Sequence, residues 1–447
     1  MRNWSLFALL LFTALITSCS VQKQIHKTAK ADVLNVPALA TAHVGISIFD
    51  AGAKKYLYNY HGDKYFVPAS NIKIPTCYAA MKYLGDSLVS ARYTISDSSI
   101  TIYPAGDPTV LHSAFSYQPL LQQLKLYQKV SIDFTYWQDE ALGNGWSWND
   151  YNESYMVERS PLPLYGNLVH FKTHEGKVTP MPEGIQITSG ESFESPVKFD
   201  PATSGISSDR FAIRREMGSN RFTIVDAESN FSPRFIPFKA TIPFIRLLLL
   251  DTLDGSSVFA YRVDPKRSAD MHANVIFSQP TDSLLKPMMH RSDNFFAEQA
   301  LLMVSNEVLG VMNDAKVIDT ILKTDFKDLP HKPRWVDGSG LSRYNLFTPQ
   351  DFIIILNKMK NEFGMERIKK IFATGGEGTL SGYYTADSSF LFAKTGTLSG
   401  VVAISGFLYT SKSKLLLFSV LVNNHQASAT EVRRAVEGFI QGIRRRY

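Results

Sequence analysis

Apolar runs separated by short turns predict strands at both ends of the chain. Residues 44–49 alternate between apolar and small or polar side chains, a turn follows at residues 50–52, and residues 56–58 resume the pattern. Near the other end, apolar runs at residues 401–409 and 415–422 flank a short polar segment. Such pairs of runs are typical of β-hairpins. The sequence therefore predicts one hairpin near each end.

Helical spacing of apolar residues occurs in three further segments. It runs through Ala79, Ala80 and Leu84, through residues 283–310, and through the amphipathic tail from residue 430 to residue 446. Apolar residues three and four positions apart cover one face of a helix. The pattern therefore predicts a helix in each segment.

The middle of the chain differs from both ends in its composition and hydrophobic pattern. Short strand-like runs and turns rich in Gly, Pro and Ser extend from about residue 90 to residue 265, without an internal repeat. Because hairpins and helices flank this region on both sides, we predict one discontinuous domain made of residues 39–90 and 266–447. Residues 91–265 are then an insertion of one or more largely β domains.

The N-terminus has the pattern of a cleaved export signal. A basic residue precedes a mostly apolar stretch over residues 6–16, which is shorter than the roughly 20 residues needed to span a bilayer. The stretch ends in a pattern that resembles the bacterial lipoprotein box at Cys19. We predict a signal at residues 1–18, a lipid on Cys19 and a flexible tether over residues 19–38. The alternative is an ordinary cleaved signal with Cys19 nearby by chance.

Composition narrows the class of protein. Of the 447 residues, 45% are hydrophobic and 20% are charged, which excludes global disorder, collagen and coiled coil. The net charge of +6 is mild, so it gives no reason to expect nucleic acid, although it suits an anionic substrate. With only Cys19 and Cys77, a disulfide scaffold is excluded, and Cys77 is predicted to be a small buried packing residue.

The chemistry that the sequence offers is that of serine and lysine. The motifs of conventional serine hydrolases, zinc peptidases, P-loop proteins and dinucleotide-binding proteins do not occur, and no metal or cofactor is implied. Ser70 and Lys73 form S-x-x-K, whose first and last positions share one face of a helix. A lysine with a lowered pKa can take the proton of a serine hydroxyl and so activate it. The motif alone is weak, because four other matches occur in the chain.

Two further motifs follow along the chain. Ser292, Asp293 and Asn294 form S-D-N within a segment predicted to be helical, and they bring a hydroxyl and an amide together. Residues 394–396 form K-T-G just before the predicted C-terminal hairpin. This motif offers a cation, a hydroxyl and a glycine that lets a substrate backbone lie close to a strand edge. The three motifs in this order are much more specific than any one of them.

The three motifs, in this order along the chain, resemble those of the penicillin-recognising serine enzymes. It is most similar to the class C low-molecular-mass penicillin-binding proteins, a family of D-alanyl-D-alanine carboxypeptidases and endopeptidases. Segments at residues 106–109, 145–150, 337–343 and 378–380 resemble the same family, as does the long interval between the first two motifs. The resemblance implies an α+β fold in which helices flank an antiparallel sheet, with a largely β region inserted between the first and second motifs.

The resemblance also implies a serine-type acyl-enzyme mechanism. Ser70 would attack the D-Ala-D-Ala carbonyl, Lys73 would accept its proton, and Ser292 would relay a proton to the leaving amine. Asn294 would bind the substrate amide and hold Lys73. Lys394 would keep Lys73 deprotonated and favour the terminal carboxylate of the substrate.

The K-T-G strand would bind the substrate. Thr395 and Thr397 would bind its carboxylate beside Gly396, and the backbone N–H groups of Ser70 and Thr397 would form the oxyanion hole. The implied partners are peptidoglycan peptides, β-lactam antibiotics as covalent inhibitors, and a membrane reached through the N-terminal lipid, but not nucleic acid. The implied location is the bacterial cell envelope, facing the periplasm.

Two departures from the family bear on substrate preference. Met289 and His290 stand where the family often has Asn-Lys, and the usual basic residue is missing from residues 381–384. Two alternatives also stay open. One is a β-lactamase or esterase of the same fold, for which Tyr165 and Asn167 offer a superficial Tyr-x-Asn. The other is a non-catalytic lipoprotein that binds peptidoglycan, although intact motifs argue against it.

Overall fold

A computed structural model of the chain describes residues 22–174, 177–182, 197–199, 213–224, 234–253, 258–262 and 274–447. The predicted signal at residues 1–18 and the predicted lipid site Cys19 lie outside the described residues.

The described residues belong to two compact units, and each unit combines separate stretches of the chain. The first unit draws on the described residues up to Tyr78, on Lys286–Ser292 and on Ile321–Tyr447. The second draws on Ala79–Leu285 and Asp293–Thr320. The predicted division into a catalytic domain (residues 39–90 and 266–447) and inserted domains (residues 91–265) uses different boundaries and stays a prediction.

The helices and strands are numbered along the chain. The helices are α1 (residues 22–34, ending in a π-helical turn at Lys30–Leu34), α2 (Lys73–Tyr83), α3 (Pro119–Leu124), α4 (Ile242–Thr252), α5 (Thr281–His290), α6 (Asn294–Leu309), α7 (Asp314–Lys323), α8 (Pro349–Ile371) and α9 (Ala429–Arg446). Within the described ranges, no helix combines the length and apolar character needed to cross a membrane. The strands are β1 (His43–Asp50), β2 (Lys55–Tyr60), β3 (Ser87–Ser96), β4 (Ser99–Pro104), β5 (Lys129–Asp133), β6 (Leu168–His174), β7 (Lys177–Met181), β8 (Val197–Phe199), β9 (Ile213–Arg215), β10 (Phe222–Ile224), β11 (Arg234–Pro237), β12 (Val258–Arg262), β13 (Asn274–Pro280), β14 (Ala373–Thr374), β15 (Leu391–Leu398), β16 (Val401–Tyr409) and β17 (Leu415–Asn423).

The first unit contains an antiparallel sheet in the order β14-β15-β16-β17-β1-β2. Its central strands β16 and β17 are buried along nearly their whole length, which explains their continuous apolar runs. Helix α8 packs against β17 and β1, and α9 packs against β16. The hairpins β1–β2 and β16–β17, and the helix-flanked antiparallel sheet, confirm the predictions from the hydrophobic pattern and from the motifs.

The segment before β1 is helical, which contradicts the predicted flexible tether for residues 22–34. Ile25, Ala29 and Val33 of α1 are buried in the core that also contains apolar residues of α9. These three residues lie four positions apart and therefore share one face of the helix. The sequence signal was weak because the face has only three positions and one of them is alanine.

The predicted helix over residues 283–310 is two helices, α5 and α6, rather than one. Ser292 between them has a φ of 61°, which ends the first helix because this value lies in the left-handed region. Asp293 then caps the second helix, since its carboxylate accepts a hydrogen bond of 3.0 Å from the Phe296 N–H. The hydroxyl of the S-D-N motif thus lies in a helix break.

The second unit is built on a mixed sheet in the order β12-β5-β4-β3-β13. Strand β5 pairs in parallel with β4 and β12, and the remaining pairs are antiparallel. Two three-stranded sheets, β8-β10-β9 and β11-β6-β7, accompany it. Leu120 and Leu124 of α3 and Leu248 of α4 join Ile102 and Ile132 in one apolar core. In the described part of residues 91–265, strands are therefore more extensive than helices, in keeping with the predicted largely β insertion.

Candidate active site

The predicted nucleophile lies at the start of a helix in the first unit. Ser70 is in the 3₁₀ turn Ala69–Ile72, which leads directly into α2. Ala69 has a φ of 47°, an uncommon value for a residue with a Cβ atom. The Lys73 Nζ lies 3.1 Å from the Ser70 Oγ and donates a hydrogen bond to it. The structure therefore brings the two S-x-x-K side chains into direct contact.

Lys73 is enclosed by protein. Its side chain is 0% exposed, and its Nζ also donates a 2.7 Å hydrogen bond to the backbone carbonyl oxygen of Ser339. Burial disfavours the charged form of an amine, whereas hydrogen-bond acceptors favour it. The lysine is thus fixed beside the hydroxyl by contacts on two sides.

The loop that presents Ser339 is held by a buried carboxylate. Asp337 accepts hydrogen bonds from the backbone N–H groups of Gly340 at 2.8 Å and Ser342 at 2.7 Å. Gly340 has a φ of 86°, and a Cβ atom there would lie 2.0 Å from the Ala69 carbonyl oxygen. The loop therefore packs directly on the nucleophile turn, and glycine is required where it does so.

A second lysine, Lys394, forms a hydrogen bond with the serine hydroxyl of the S-D-N motif. The Lys394 Nζ donates hydrogen bonds to the Ser292 Oγ at 2.9 Å and to the Thr395 carbonyl oxygen at 2.6 Å. Ser292 holds this position with a left-handed backbone, which costs about 1–2 kcal/mol for a residue with a Cβ atom. Such strain is found most often at functional sites.

The two lysines influence each other. Lys394 is 0% exposed, and its burial, followed by repulsion from Lys73, lowers the pKa of Lys394 well below its usual value of 10.5. Repulsion between two ammonium groups is mutual, so the pair favours one positive charge over two. One amine of this pair is thereby made available as a base.

Asn294 begins α6 in the second unit. Its Nδ2 donates a 2.8 Å hydrogen bond to the Tyr155 carbonyl oxygen, which belongs to the same unit. The predicted contacts of Asn294 with Lys73 and with a substrate amide stay predictions from the motif.

The K-T-G residues lie on β15, at an open edge of the first unit's sheet. Strand β15 pairs with β16 along its whole length, whereas β14 pairs only with Phe392 and Ala393 on the other side. Within the described part of the chain, the edge from residue 394 to residue 398 has no partner strand. A Cβ atom at Gly396 would lie 2.8 Å from the Pro68 carbonyl oxygen and 3.0 Å from the Ser70 nitrogen. Glycine therefore allows this strand to lie against the nucleophile turn.

Two threonine hydroxyls of β15 are already engaged in hydrogen bonds. The Thr395 Oγ1 donates to the Thr379 Oγ1 at 2.7 Å, and the Thr397 Oγ1 accepts from the Arg433 guanidinium at 2.6 Å. In this way residues distant in sequence surround the strand that is predicted to bind substrate.

The profile of the D-Ala-D-Ala carboxypeptidase 3 (S13) family matches residues 26–442. The chain belongs to this family. Its serine-type D-Ala-D-Ala carboxypeptidase class, predicted from the three motifs, is thereby confirmed. The match begins within α1 and ends within α9, so it includes every motif residue predicted from the sequence.

Two named relatives of the chain are distant from it in sequence. The chain is 25% identical to the D-alanyl-D-alanine carboxypeptidase of Actinomadura sp. (strain R39) over 89% of this chain and 80% of that protein. It is 28% identical to the D-alanyl-D-alanine carboxypeptidase DacB of Haemophilus influenzae over 38% of this chain and 37% of that protein.

A solved structure shows the same fold. Penicillin binding protein 4 (dacB) from Haemophilus influenzae is similar with a TM-score of 0.70 and 19% identity, covering 94% of this chain and 98% of that one. The predicted penicillin-recognising fold of this S13 family chain is thereby confirmed.

Tyr165 and Asn167 form the Tyr-x-Asn pattern on which the alternative β-lactamase interpretation rests. Both residues make hydrogen bonds within the second unit. Asn167 is 0% exposed, and its Nδ2 donates hydrogen bonds to the Glu158 carbonyl oxygen and the Ser160 Oγ. The Tyr165 hydroxyl lies 3.1 Å from the Thr252 Oγ1. These contacts hold loops of that unit together, in keeping with the interpretation that the pattern occurs by chance.

Sequence reasoning missed three contributions to this S13 site. The Ser339 carbonyl and the Asp337 carboxylate lie in a segment recognised as a turn of the family, but its contact with Lys73 was not predicted. Thr379 lies in the Gly-Thr-Leu segment, which marked the family without indicating a partner. Arg433 carried no local signal, because only the packing of α9 brings it to Thr397.

Proposed function

We propose that this chain hydrolyses the D-Ala-D-Ala ends of peptidoglycan stem peptides through an acyl-enzyme on Ser70, and that it cleaves D-Ala cross-links in the same way. The observation that carries the proposal is the contact of the Ser70 Oγ with Lys73, beside the second buried lysine, Lys394. A nucleophile and a desolvated base within hydrogen-bond reach are what covalent catalysis requires. The substrate class is supported by the family to which the chain belongs.

Acylation begins with the neutral Lys73 amine. It takes the Ser70 proton as the Oγ forms a bond to the D-Ala carbonyl carbon, which gives a tetrahedral oxyanion. When the C–N bond breaks, the leaving amine receives a proton through the Ser292 hydroxyl, and the electron pair of that bond stays on the nitrogen. Lys394, fixed on the Ser292 Oγ at 2.9 Å, favours the neutral state of its neighbouring amine by repulsion.

The oxyanion is stabilised by backbone donors. We assign this role to the N–H groups of Ser70 and Thr397. Support comes from the close approach of the two segments at Gly396, where a Cβ atom would lie 3.0 Å from the Ser70 nitrogen. Donors that are fixed before the reaction need no reorganisation, and removing one typically costs about 10²–10³ in rate.

The substrate lies along the open edge of β15 in this proposal. Its backbone passes Gly396, and the carboxylate next to the scissile amide is bound by the Thr397 hydroxyl and is attracted by Lys394. The Thr395 hydroxyl also binds it once its proton turns from the Thr379 oxygen to the carboxylate, and Thr379 then donates to Thr395. The binding of a substrate amide by Asn294 is proposed from the S-D-N motif alone.

Water then attacks the ester carbonyl and releases the shortened peptide, which restores the Ser70 hydroxyl. A β-lactam offers a carbonyl and a carboxylate of similar placement, but its leaving nitrogen stays attached to the acyl group after the ring opens. We therefore propose that β-lactams acylate Ser70 and inhibit the enzyme. The related Haemophilus influenzae protein has been crystallised with a β-lactam.

The location follows from the substrate. Peptidoglycan lies outside the cytoplasmic membrane, so we propose that the enzyme acts in the bacterial envelope. We further propose that a lipid on Cys19 anchors it to a membrane facing the periplasm, on the support of the lipoprotein-box pattern.

Release of D-Ala by the purified full chain tests the proposed function. We expect D-Ala from a peptide ending in D-Ala-D-Ala and conversion of cross-linked muropeptide dimers to monomers. Ser70→Ala should abolish both activities, by about 10⁴-fold or more. Ser411→Ala is a matched control, because Ser411 and Lys414 form another S-x-x-K on an exposed hairpin. Equal activity of Ser70→Ala and the wild type would refute the proposal.

A further inference from the structure

Arg433 contacts one of the hydroxyls to which the proposed function assigns the substrate carboxylate. It is half-buried near the start of α9, and its guanidinium donates a 2.6 Å hydrogen bond to the Thr397 Oγ1. A hydroxyl has one proton to donate. Because the Thr397 oxygen accepts from Arg433, its own proton is left to donate to another acceptor. The contact therefore prepares both groups to bind an anion.

The charge of Arg433 is not neutralised by a neighbouring carboxylate. Among the described residues, none forms an ion pair with it, and its other contact is with the Tyr383 ring at 5.8 Å. The next residue differs: Arg434 pairs with Glu437 at 2.6 Å and lies 4.3 Å over the same ring. Only one of these adjacent arginines thus keeps its charge for a ligand.

The position of Arg433 is also relevant to a basic residue that is missing from the family pattern. Residues 381–384 lack the basic residue that the family usually has after the Gly-Thr-Leu segment. Tyr383 in that stretch instead lies against the two arginines of α9. A cation is therefore supplied to this part of the first unit by another element.

We propose that Arg433 is a specificity-determining residue that binds the carboxylate next to the scissile amide, together with Thr397. This inference rests on the proposed function. The planar guanidinium offers several donors to one carboxylate and stays charged at all relevant pH values. A substrate whose terminal carboxylate is replaced by an amide loses this interaction. Arg433 thus selects substrates that carry a negative charge beside the bond to be cleaved.

The test compares two peptides that differ only at the terminus, one ending in D-Ala-D-Ala and the other in D-Ala-D-alaninamide. The ratio of their kcat/KM values is measured for the wild type, Arg433→Gln, Arg433→Lys and the control Arg445→Gln, which removes an exposed charge of the same helix. We expect Arg433→Gln to lower the acid-to-amide ratio about tenfold through slower cleavage of the acid, as for a lost hydrogen bond to a charged group. Arg433→Lys should restore part of the ratio, and Arg445→Gln should leave it unchanged.

An unchanged ratio in Arg433→Gln would overturn the inference, as would an equal fall in the cleavage of both peptides. Failure of the proposed function has a different signature: the wild type would then cleave neither peptide. Acylation of Ser70 in Arg433→Gln by a saturating penicillin, read by intact mass, verifies that the variant's nucleophile is intact.

Discussion

At the scale of single residues, the site depends on placing two lysines where water cannot solvate them. Lys73 and Lys394 are each 0% exposed, and each is fixed by hydrogen bonds to a hydroxyl and to a backbone carbonyl. This arrangement costs stability, because burial penalises charge, but it yields an amine that can act as a base. We therefore expect that replacing either lysine by an apolar residue raises the stability of the fold and lowers the activity.

The variant Lys394→Met tests this expectation, because the difference in its stability from that of the wild type should depend on pH. In the unfolded chain both amines hold their protons up to about pH 10.5, whereas in the folded chain burial and the mutual repulsion of Lys394 and Lys73 cause one proton of the pair to be released at lower pH. In that interval the unfolded state binds more protons, so wild-type stability rises with pH toward 10.5. The variant lacks this term and should be more stable than the wild type at pH 7, with the difference shrinking toward pH 10, while its activity falls about 100-fold or more.

Thermal midpoints at pH 7 and pH 10 measure the effect, and Lys412→Met serves as the control because Lys412 is exposed. A midpoint for Lys394→Met that is below that of the wild type at both values of pH would contradict the account.

At the scale of elements, three segments meet closely at the nucleophile turn. The loop containing Gly340 and the strand containing Gly396 both approach the backbone between Pro68 and Ser70. Local sequence predicted each segment, because each carries a motif. It did not predict the break at Ser292, because the apolar spacing continues across it and only the backbone conformation ends the helix.

Gly340→Ala should separate close packing from backbone strain. A Cβ atom at Gly340 would lie 2.0 Å from the Ala69 carbonyl oxygen, whereas one at Gly364, which also has a positive φ, meets nothing within 4 Å. Both substitutions carry backbone strain of about 1–3 kcal/mol, but only the first displaces the nucleophile turn. We expect Gly340→Ala to slow acylation by fluorescent penicillin about 100-fold or more and Gly364→Ala to leave its rate near the wild-type value. Equal rates in the two variants would show that the contact at Gly340 is unimportant.

At the scale of the whole molecule, the sequence predicted the fold class and most of the chemistry because the motifs are local and because short turns separate the apolar runs of each hairpin. The rest depends on contacts between distant segments. Val33 is buried because α1 packs with α9, and Arg433 reaches Thr397 because α9 packs against β16, the neighbour of β15. No pattern within either helix indicates its partner. Such residues become visible only when the chain is folded.

The central claim is that Ser70 alone forms the covalent intermediate. Intact-mass spectrometry of the full chain after exposure to benzylpenicillin, followed by peptide mapping, tests it most directly. We predict one adduct with the mass of the whole antibiotic, located on Ser70, and none in Ser70→Ala. An adduct on any other residue, or an adduct of undiminished yield in Ser70→Ala, would contradict the account.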